Sequence, residues 1–387
     1  MRRRLRFGGH VGHMPRMSLR LATFNVENLM NRFDFSGFRN ALNQDRVLSL
    51  YQIKDEAEYR QYEAARTIAH TDDARQLSAL AIAATRADIL CLQEVDNMEA
   101  LRAFEYGYLF KMVGQGYRDK YTTPGNDGRG IDVAVMVRAE TSHGQPIEFV
   151  RMQSHAHLTY DDLDLYDDDL AQLGEKPHER IFRRDCLELD LKVGGKPITI
   201  YSVHFKSMGG PPRNGKDSRM STMPIRMAEA AAVRKIIENR FGREHAPDKR
   251  WAICGDLNDY RERVLVEGDI FSNFDFRPVQ EGISCVDVLT AGDFCENVVE
   301  RRPELDRWTL YHTRGPAERH LCQLDYILLS KSWAQSNSMA VPEIVRNGQP
   351  MRTPFPPGQE VPHFPRVGWD RPKASDHCPV VVEIAII

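Results

Sequence analysis

Residues 251–258 read Trp251-Ala252-Ile253-Cys254-Gly255-Asp256-Leu257-Asn258, an apolar run followed at once by a carboxylate and an amide. A short apolar run with a β-branched member predicts a buried strand, and Gly255 permits close approach of the backbone where that strand ends. A carboxylate acceptor and an amide at this spacing are suited to orienting a water molecule beside a phosphate group. An Asx-turn is the alternative interpretation of Asp256 and Asn258.

Apolar runs of the same kind recur along the chain, with helical patterns between some of them. The predicted strands cover residues 19–24, 89–92, 131–137, 187–193, 198–203, 251–254, 326–329 and 380–387. The predicted helices cover residues 73–86 and 225–240. Strands mixed with helices over the whole length indicate an α/β or α+β protein, and the irregular spacing argues against a barrel of eight βα units.

The expected domain organisation is simple. Residues 18–387 are predicted to form one domain, because strand-like segments and related motifs lie on both sides of the Pro-rich loop at residues 350–372. Residues 1–17 are predicted to be a disordered tail, with a nucleic-acid-binding arm as the alternative. Residues 30–72 are predicted to form a helical insertion.

Composition indicates a soluble globular protein, since 42% of the residues are hydrophobic and 28% are charged. The 52 Lys and Arg against 55 Asp and Glu give a net charge of -3, so any affinity for a polyanion must be local. The seven cysteines are scattered without CxxC spacing, which argues against a disulfide framework or a zinc knuckle. Without a recognisable signal peptide or a long apolar segment, we expect a cytoplasmic protein that does not use a membrane.

Polar side chains suited to metal or phosphate chemistry also stand at the ends of other predicted strands. Asn25 and Glu27 follow the first strand, and Glu94 follows the second. Asp325 stands at the head of a strand, where a buried carboxylate needs a partner such as a histidine. His377 precedes the last strand. Each motif is weak evidence alone, because turns and solvated side chains also place such residues at strand ends.

Taken together, these motifs resemble those of the endonuclease/exonuclease/phosphatase superfamily. The set is FNVEN (24–28), LQEVDN (92–97), VHFKS (203–207), GDLND (255–259), QLDYILLS (323–330) and SDHCPV (375–380), in this order. The pattern is similar to that of bacterial nuclease-like members, pancreatic deoxyribonuclease and abasic-site endonucleases. The resemblance implies a four-layered sandwich, in which two mixed β-sheets pack face to face between helices and the site lies at one end of the sheets.

The resemblance also implies a role for each matching residue. The implied ligands of Mg²⁺ or Mn²⁺ are Glu94, Asn25, Glu27 and Asp376. The implied catalytic residues are Asp256, which orients or deprotonates the attacking water, Asn258 and His377 on the phosphate, Asp325, which orients the imidazole of His377, and His204 near the leaving group. A site with few protein ligands suits Mg²⁺, which keeps several waters and binds one or two carboxylates together with substrate phosphate.

Basic residues in two glycine-containing loops are the candidates for substrate binding. They are Lys206, Arg213, Lys216 and Arg219, which follow His204, and Arg129 in the loop at residues 125–130. A solvated loop and a hairpin turn, respectively, are the alternative interpretations of these two segments.

The sequence therefore predicts a metal-dependent phosphoester hydrolase that uses in-line attack of water, first of all a monomeric nuclease acting on nucleic acid. One alternative is a phosphatase or phosphodiesterase of the same superfamily that acts on small molecules or lipids. A more remote alternative is a non-catalytic member that binds nucleic acid or protein. Such a protein is expected to have lost a carboxylate or the Ser-Asp-His motif, and all of them are present here.

Overall fold

A computed structural model describes residues 17–29, 72–114, 116–210, 212, 215, 217–269, 273–313 and 318–386. The strands are β1 (Ser18–Leu29), β2 (Ile89–Val95), β3 (Asp119–Thr122), β4 (Asp132–Val137), β5 (Ile147–Ser154), β6 (Cys186–Val193), β7 (Lys196–His204), β8 (Trp251–Asp256), β9 (Glu262–Glu267), β10 (Asp275–Gln280), β11 (Cys295–Asn297), β12 (Leu310–His312), β13 (His320–Cys322), β14 (Asp325–Ser330), β15 (Glu343–Ile344) and β16 (Val380–Ala385). The helices are α1 (72–85), α2 (Met98–Phe104), α3 (Phe110–Val113), α4 (Asp168–Leu173), α5 (Ser218–Ser221), α6 (Met223–Phe241), α7 (Cys285–Thr290) and α8 (Lys331–Ser336).

Two six-stranded sheets form the centre of the molecule. The first has the strand order β15-β16-β1-β2-β4-β3 and the second β11-β14-β8-β7-β6-β5. Each sheet contains one parallel pair, β1 with β2 and β7 with β8, among antiparallel neighbours. Both sheets are therefore mixed, as the resemblance implies.

The strands alternate between two apolar environments, and this alternation produces the layers. In β2, Ile89 and Cys91 belong to the core between the sheets, whereas Leu90 and Leu92 pack in a cluster with α1. On the outer face of the second sheet, α6 covers residues of β7 and β8 in a third cluster. Helices thus flank both sheets, which confirms the predicted four-layered α/β sandwich.

A smaller third sheet was not predicted. It has four strands in the order β10-β9-β13-β12 and follows directly from the segment that carries Asn258. Its strands escape prediction because two are only three residues long and β10 contains Pro278 and exposed polar residues. Leu310 of this sheet forms an isolated bridge with His377, so the sheet borders the predicted site.

The predicted strands are confirmed, and several extend past their predicted ends. β1, β2 and β8 continue through Asn25, Glu94 and Asp256, respectively. Both predicted helices are present as α1 and α6. Residues 1–16 of the predicted tail (1–17) and residues 30–71 of the predicted insertion (30–72) lie outside the described residues. No helix among the described residues has the length and apolar character needed to cross a membrane.

Gly255 allows β7 and β8 to approach each other at the end of the second sheet. A β-carbon at this position would lie 1.9 Å from the carbonyl oxygen of Val203 on the neighbouring strand. We expect Gly255→Ala to lower the free energy of unfolding by about 1–3 kcal/mol or more, because the backbone must shift to relieve the clash. Urea denaturation measures this effect, with Gly107→Ala as the control because a β-carbon there meets nothing within 4 Å. Equal unfolding midpoints for the two variants would contradict the close approach.

Candidate active site

Strand register brings three of the predicted residues together at one end of the second sheet. Asp325 of β14 lies opposite Asp256 of β8, and His204 of β7 lies opposite Asp256 on its other side. All three are buried, with no more than 2% of the residue surface exposed. Neighbouring strands thus present two carboxylates and an imidazole in one row.

The first sheet contributes Asn25 and Glu94 across the interface between the sheets. Asn25 lies opposite Gln93 in the parallel pair β1–β2, one residue before Glu94. The Asn25 side-chain amide donates to Oε1 of Glu94 over 3.4 Å and to Oδ2 of Asp256 over 3.1 Å. The backbone N–H of Asn28 donates to Oε2 of Glu94 over 3.0 Å. Asn25 therefore joins the carboxylates of the two sheets.

Oδ2 of Asp256 is the point at which the cluster converges. Besides the Asn25 amide, it accepts a hydrogen bond from Nδ2 of Asn258 over 3.1 Å. Nε2 of His204 lies 3.6 Å and Nε2 of His377 3.8 Å from the same oxygen. Oδ1 accepts from the backbone N–H of Asn258 over 2.7 Å, so the turn foreseen as the structural alternative is also present.

Asp325 orients His377. Nδ1 of His377 lies 2.8 Å from Oδ2 of Asp325, which leaves Nε2 directed towards Asp256. The segment before β16 is fixed as well, because the Ser375 hydroxyl donates to the Asn25 carbonyl over 2.7 Å and accepts from the His377 N–H over 3.0 Å. This carboxylate–imidazole pair has the geometry expected of a catalytic unit.

Burial and neighbouring charges shift the pKa values of the ionisable side chains in the site in different directions. Burial raises the pKa of Asp256 to about 7. Burial opposes a charge on His377, but the nearby Asp325 and Asp256 outweigh it and raise its pKa well above the usual value. Burial lowers the pKa of His204 well below the usual value, so this imidazole is neutral. Nδ1 of His204 is buried without a hydrogen-bond partner among the described residues.

Backbone strain is concentrated at this end of the sheets. Of the eight non-glycine residues with positive φ among the described residues, four belong to the site, namely Glu27 (50°), Asn28 (64°), Glu94 (67°) and Asn258 (49°). Such conformations cost about 1–3 kcal/mol each and persist where the surroundings enforce them. The register of the β1–β2 pair shifts at the same place, between Asn25 and Leu29.

Because the strand is irregular here, the side chain of Glu27 does not lie where regular strand alternation would place it. Its carboxylate lies 2.9 Å from Nη2 of Arg371 and 2.9 Å from Nζ of Lys373, and it accepts from the backbone N–H of Asp376 over 3.0 Å. Glu27 therefore anchors the segment that carries Asp376 and His377. Its role as a metal ligand stays a prediction, as does that of Asp376, whose side chain lies 4.0 Å from Nε2 of His377.

Among the basic candidates, Arg129 lies beside the cluster. Its side chain is 57% exposed and forms an ion pair with Asp127, and it is close enough to act electrostatically on both Glu94 and His204. Asp127 also contacts the Arg184 guanidinium, which in turn donates to the Phe205 carbonyl over 2.9 Å. This chain of contacts ties the Arg129 loop to the end of β7.

In the loop after His204, the two basic candidates that the structure describes, Lys206 and Arg219, both have partners within the protein. Nζ of Lys206 contacts the carbonyls of Ser207 and Gly209, while burial lowers the pKa of this amine. The Arg219 guanidinium is buried and bonded to Asp259, Glu281 and two backbone carbonyls. Because these contacts within the protein occupy its guanidinium, we do not retain Arg219 as a substrate-binding residue. Arg213 and Lys216 lie outside the described residues.

Ser375 stands in the Ser-Asp-His motif without a predicted role, and Arg371 and Lys373 were not predicted, although all three hold the His377 segment against Glu27 and Asn25. The sequence does contain an indication of an acidic partner, because two basic residues stand shortly before the Ser-Asp-His motif. Their acidic partner lies about 350 residues away in the chain, so only the fold reveals the pairing.

The donor set fits a hard divalent cation bound by few protein groups. Glu94 is a carboxylate contacted by neutral N–H donors of Asn25 and Asn28, and burial raises its pKa, so a nearby cation would stabilise its charged form. Within the described ranges, no group of three or more His, Cys, Asp or Glu side chains could hold a metal ion. A cation here would rely on Glu94, with help from Asn25, water and substrate oxygens.

The fold and the site define a class. The family model for the endonuclease/exonuclease/phosphatase family matches residues 22–377, and the chain belongs to this family. Members of this family are phosphoester hydrolases. A comparison with curated protein sequences gives no significant match.

Solved structures with a similar arrangement include truncated TDP2 from Caenorhabditis elegans, which is 12% identical with a TM-score of 0.50 over 95% of this chain and 98% of TDP2. The human nocturnin catalytic domain is 14% identical with a TM-score of 0.47, covering 96% of each chain. A family protein from Bacteroides thetaiotaomicron is 14% identical with a TM-score of 0.49, over 96% of this chain and 98% of its own. The likeness to TDP2 shows a shared fold.

Proposed function

We propose that this protein is a metal-dependent phosphodiesterase, and specifically a nuclease. The observation that carries the proposal is the convergence of Asn25, Asn258, His204 and His377 within 3.1–3.8 Å of one oxygen of Asp256. An acceptor surrounded by amide and imidazole groups is suited to holding a water molecule next to a phosphate whose oxygens accept from the same donors.

A divalent cation completes the proposed site. Glu94 would be its main ligand, supported by Asn25, with Mg²⁺ or Mn²⁺ preferred because the donors are oxygen atoms. When bound, the cation supplies charge neutralisation at the phosphate and the leaving oxygen. The remaining chemistry belongs to the side chains.

In this scheme Asp256 orients the attacking water and accepts its proton. The Nε2 of His377 donates a hydrogen bond to a non-bridging phosphate oxygen, while Asp325 holds the His377 ring in place. Asn258 donates through Nδ2 to Oδ2 of Asp256 and to the Phe205 carbonyl, and it can serve the phosphate only if one of these bonds is exchanged. His204, which is neutral, lies near the leaving group and can donate through one ring nitrogen. Because no serine, cysteine or histidine is needed as a covalent nucleophile, the proposal predicts direct attack by water with inversion at phosphorus.

The surroundings of the cluster favour a polyanionic substrate. The side chain of Arg129 is 57% exposed, and although Nε and Nη2 bond to Asp127, its charge acts on Glu94 and can attract a phosphate. The net charge of -3 offers no diffuse attraction, so contacts of this local kind must supply the affinity. One chain provides every member of the cluster, and we propose that the monomer is active. The seven cysteines are free, which suits the expected reducing, cytoplasmic compartment.

A panel of substrates tests the proposal. We expect hydrolysis of single-stranded DNA, duplex DNA or RNA with Mg²⁺, and slower hydrolysis of bis-p-nitrophenyl phosphate, because only a polymer can engage Arg129 beyond the scissile group. Preferential release of phosphate from inositol phosphates would instead support a small-molecule phosphatase of the same family. Inactivity on the whole panel would contradict the proposal.

A further inference from the structure

One of the four tryptophans differs from the others in its surroundings. Trp251, Trp308 and Trp333 are buried, with at most 2% of their surface exposed, whereas Trp369 is 57% exposed. Trp369 lies eight residues before His377, in the segment that leads into the site. A large exposed aromatic ring is poorly used by the fold itself and is a common feature of binding surfaces.

Backbone and side-chain contacts hold this segment against the catalytic cluster. The Trp369 carbonyl accepts from the backbone N–H of Arg352 over 3.0 Å, and Met351 pairs with Gly368 over the same distance. Two residues after Trp369, the Arg371 guanidinium lies 2.9 Å from Glu27 of β1. These contacts hold the segment that contains Trp369 against β1, the strand that also carries Asn25.

The surroundings of Trp369 combine aromatic, apolar and cationic groups. Met351 is 50% exposed, and the Arg352 guanidinium lies 5.9 Å from the centroid of the Tyr311 ring. Tyr311 belongs to β12, whose residue Leu310 forms the bridge with His377. The Arg352 guanidinium is paired with Asp370, the residue after Trp369, so the exposed indole ring itself is the group that suits a nucleobase.

We propose that Trp369 stacks on a base of single-stranded nucleic acid next to the scissile phosphate. The inference rests on the proposed nuclease function and names its preferred substrate form. A duplex offers no free base face at this position, because its bases stack on each other, so a single strand gains more from the indole ring. Two residues after Trp369, Arg371 is paired with Glu27, and the same segment continues to His377. A base stacked on Trp369 would therefore lie on the side of the cluster that this segment forms.

Tryptophan fluorescence tests the inference without turnover. With Mg²⁺ and the Asp256→Asn background, a single-stranded DNA 12-mer is expected to quench the emission of the otherwise intact protein. The additional change Trp369→Phe should abolish the quenching, because the remaining three tryptophans are buried. Quenching that survives Trp369→Phe, or that is equally strong with duplex DNA of the same sequence, would overturn the inference.

Kinetics provide the second measurement. We expect Trp369→Ala to lower kcat/KM on single-stranded DNA roughly 5- to 150-fold, the effect typical of losing one stacked base, and Trp369→Phe to restore part of it. Tyr106→Ala, which removes a 79% exposed aromatic ring elsewhere, is the matched control. If the wild-type protein hydrolyses bis-p-nitrophenyl phosphate and Trp369→Ala leaves kcat/KM on DNA unchanged, the stacking role is wrong while the proposed function stands. If the wild-type protein hydrolyses no phosphodiester at all, the proposed function itself fails.

Discussion

Replacing Asp256 by Asn is expected to lower kcat by roughly 10²–10⁴-fold, the range that a positioned general base contributes. The amide is isosteric and can still accept from the Asn258 N–H, which the carboxylate meets at 2.7 Å. It cannot take a proton from water. Steady-state kinetics on single-stranded DNA measure the loss, and circular dichroism should show an unchanged fold because the shape of the side chain is preserved.

His377→Ala belongs to the same prediction, with an expected loss of roughly 10²–10³-fold for one donor to the phosphate. Asp169→Asn and His157→Ala are matched controls, since both side chains are exposed in other parts of the molecule. A variant of Asp256 or His377 that keeps the rate of its control would remove that residue from the catalytic set.

Removal of divalent cations is expected to abolish turnover, and Mg²⁺ or Mn²⁺ should restore it, because the donors around Glu94 are hard oxygen ligands. Binding also has a readout that does not depend on activity. A cation at 100 times its Kd stabilises the folded protein by about 2.7 kcal/mol, which appears as a rise in Tm when Mg²⁺ is added.

Glu94→Gln should lose both the activity and the Mg²⁺-dependent rise in Tm, whereas Glu99→Gln, an exposed change on α2, should keep both. Full activity in metal-free buffer would show that the metal assignment is wrong. A normal response of the Glu94 variant to Mg²⁺ would place the cation elsewhere.

Most strands of the two large sheets were predictable because their apolar runs are long enough to specify buried strands. Carboxylates and amides at the ends of those runs, such as Asp256 and Glu94, were predictable as site candidates for the same reason. Their mutual arrangement was not. The register that aligns Asp325, Asp256 and His204 is a tertiary property of neighbouring strands, and sequence resemblance rather than local pattern indicated that these residues belong together.

Local sequence pattern does not predict the position of a side chain where the backbone departs from regular geometry or where a charged residue pairs with a residue distant in the chain. Regular alternation along β1 would put Asn25 and Glu27 on one face of the strand. Residues 27 and 28 instead have left-handed backbone conformations, and Glu27 pairs with Arg371 and Lys373. Arg219 follows a glycine-containing loop and was expected to meet phosphate, yet its carboxylate partners Asp259 and Glu281 enclose it. The short strands of the third sheet had too little apolar character to be recognised.

The central claim is that water activated at Asp256 attacks a phosphodiester directly. Cleavage in ¹⁸O-labelled water, with Mg²⁺, of single-stranded DNA that carries one stereochemically pure phosphorothioate diester tests it. We expect inversion of configuration at phosphorus in the product, because direct attack by water is a single in-line displacement. Retention of configuration would contradict direct attack, because it requires two successive displacements through a covalent intermediate.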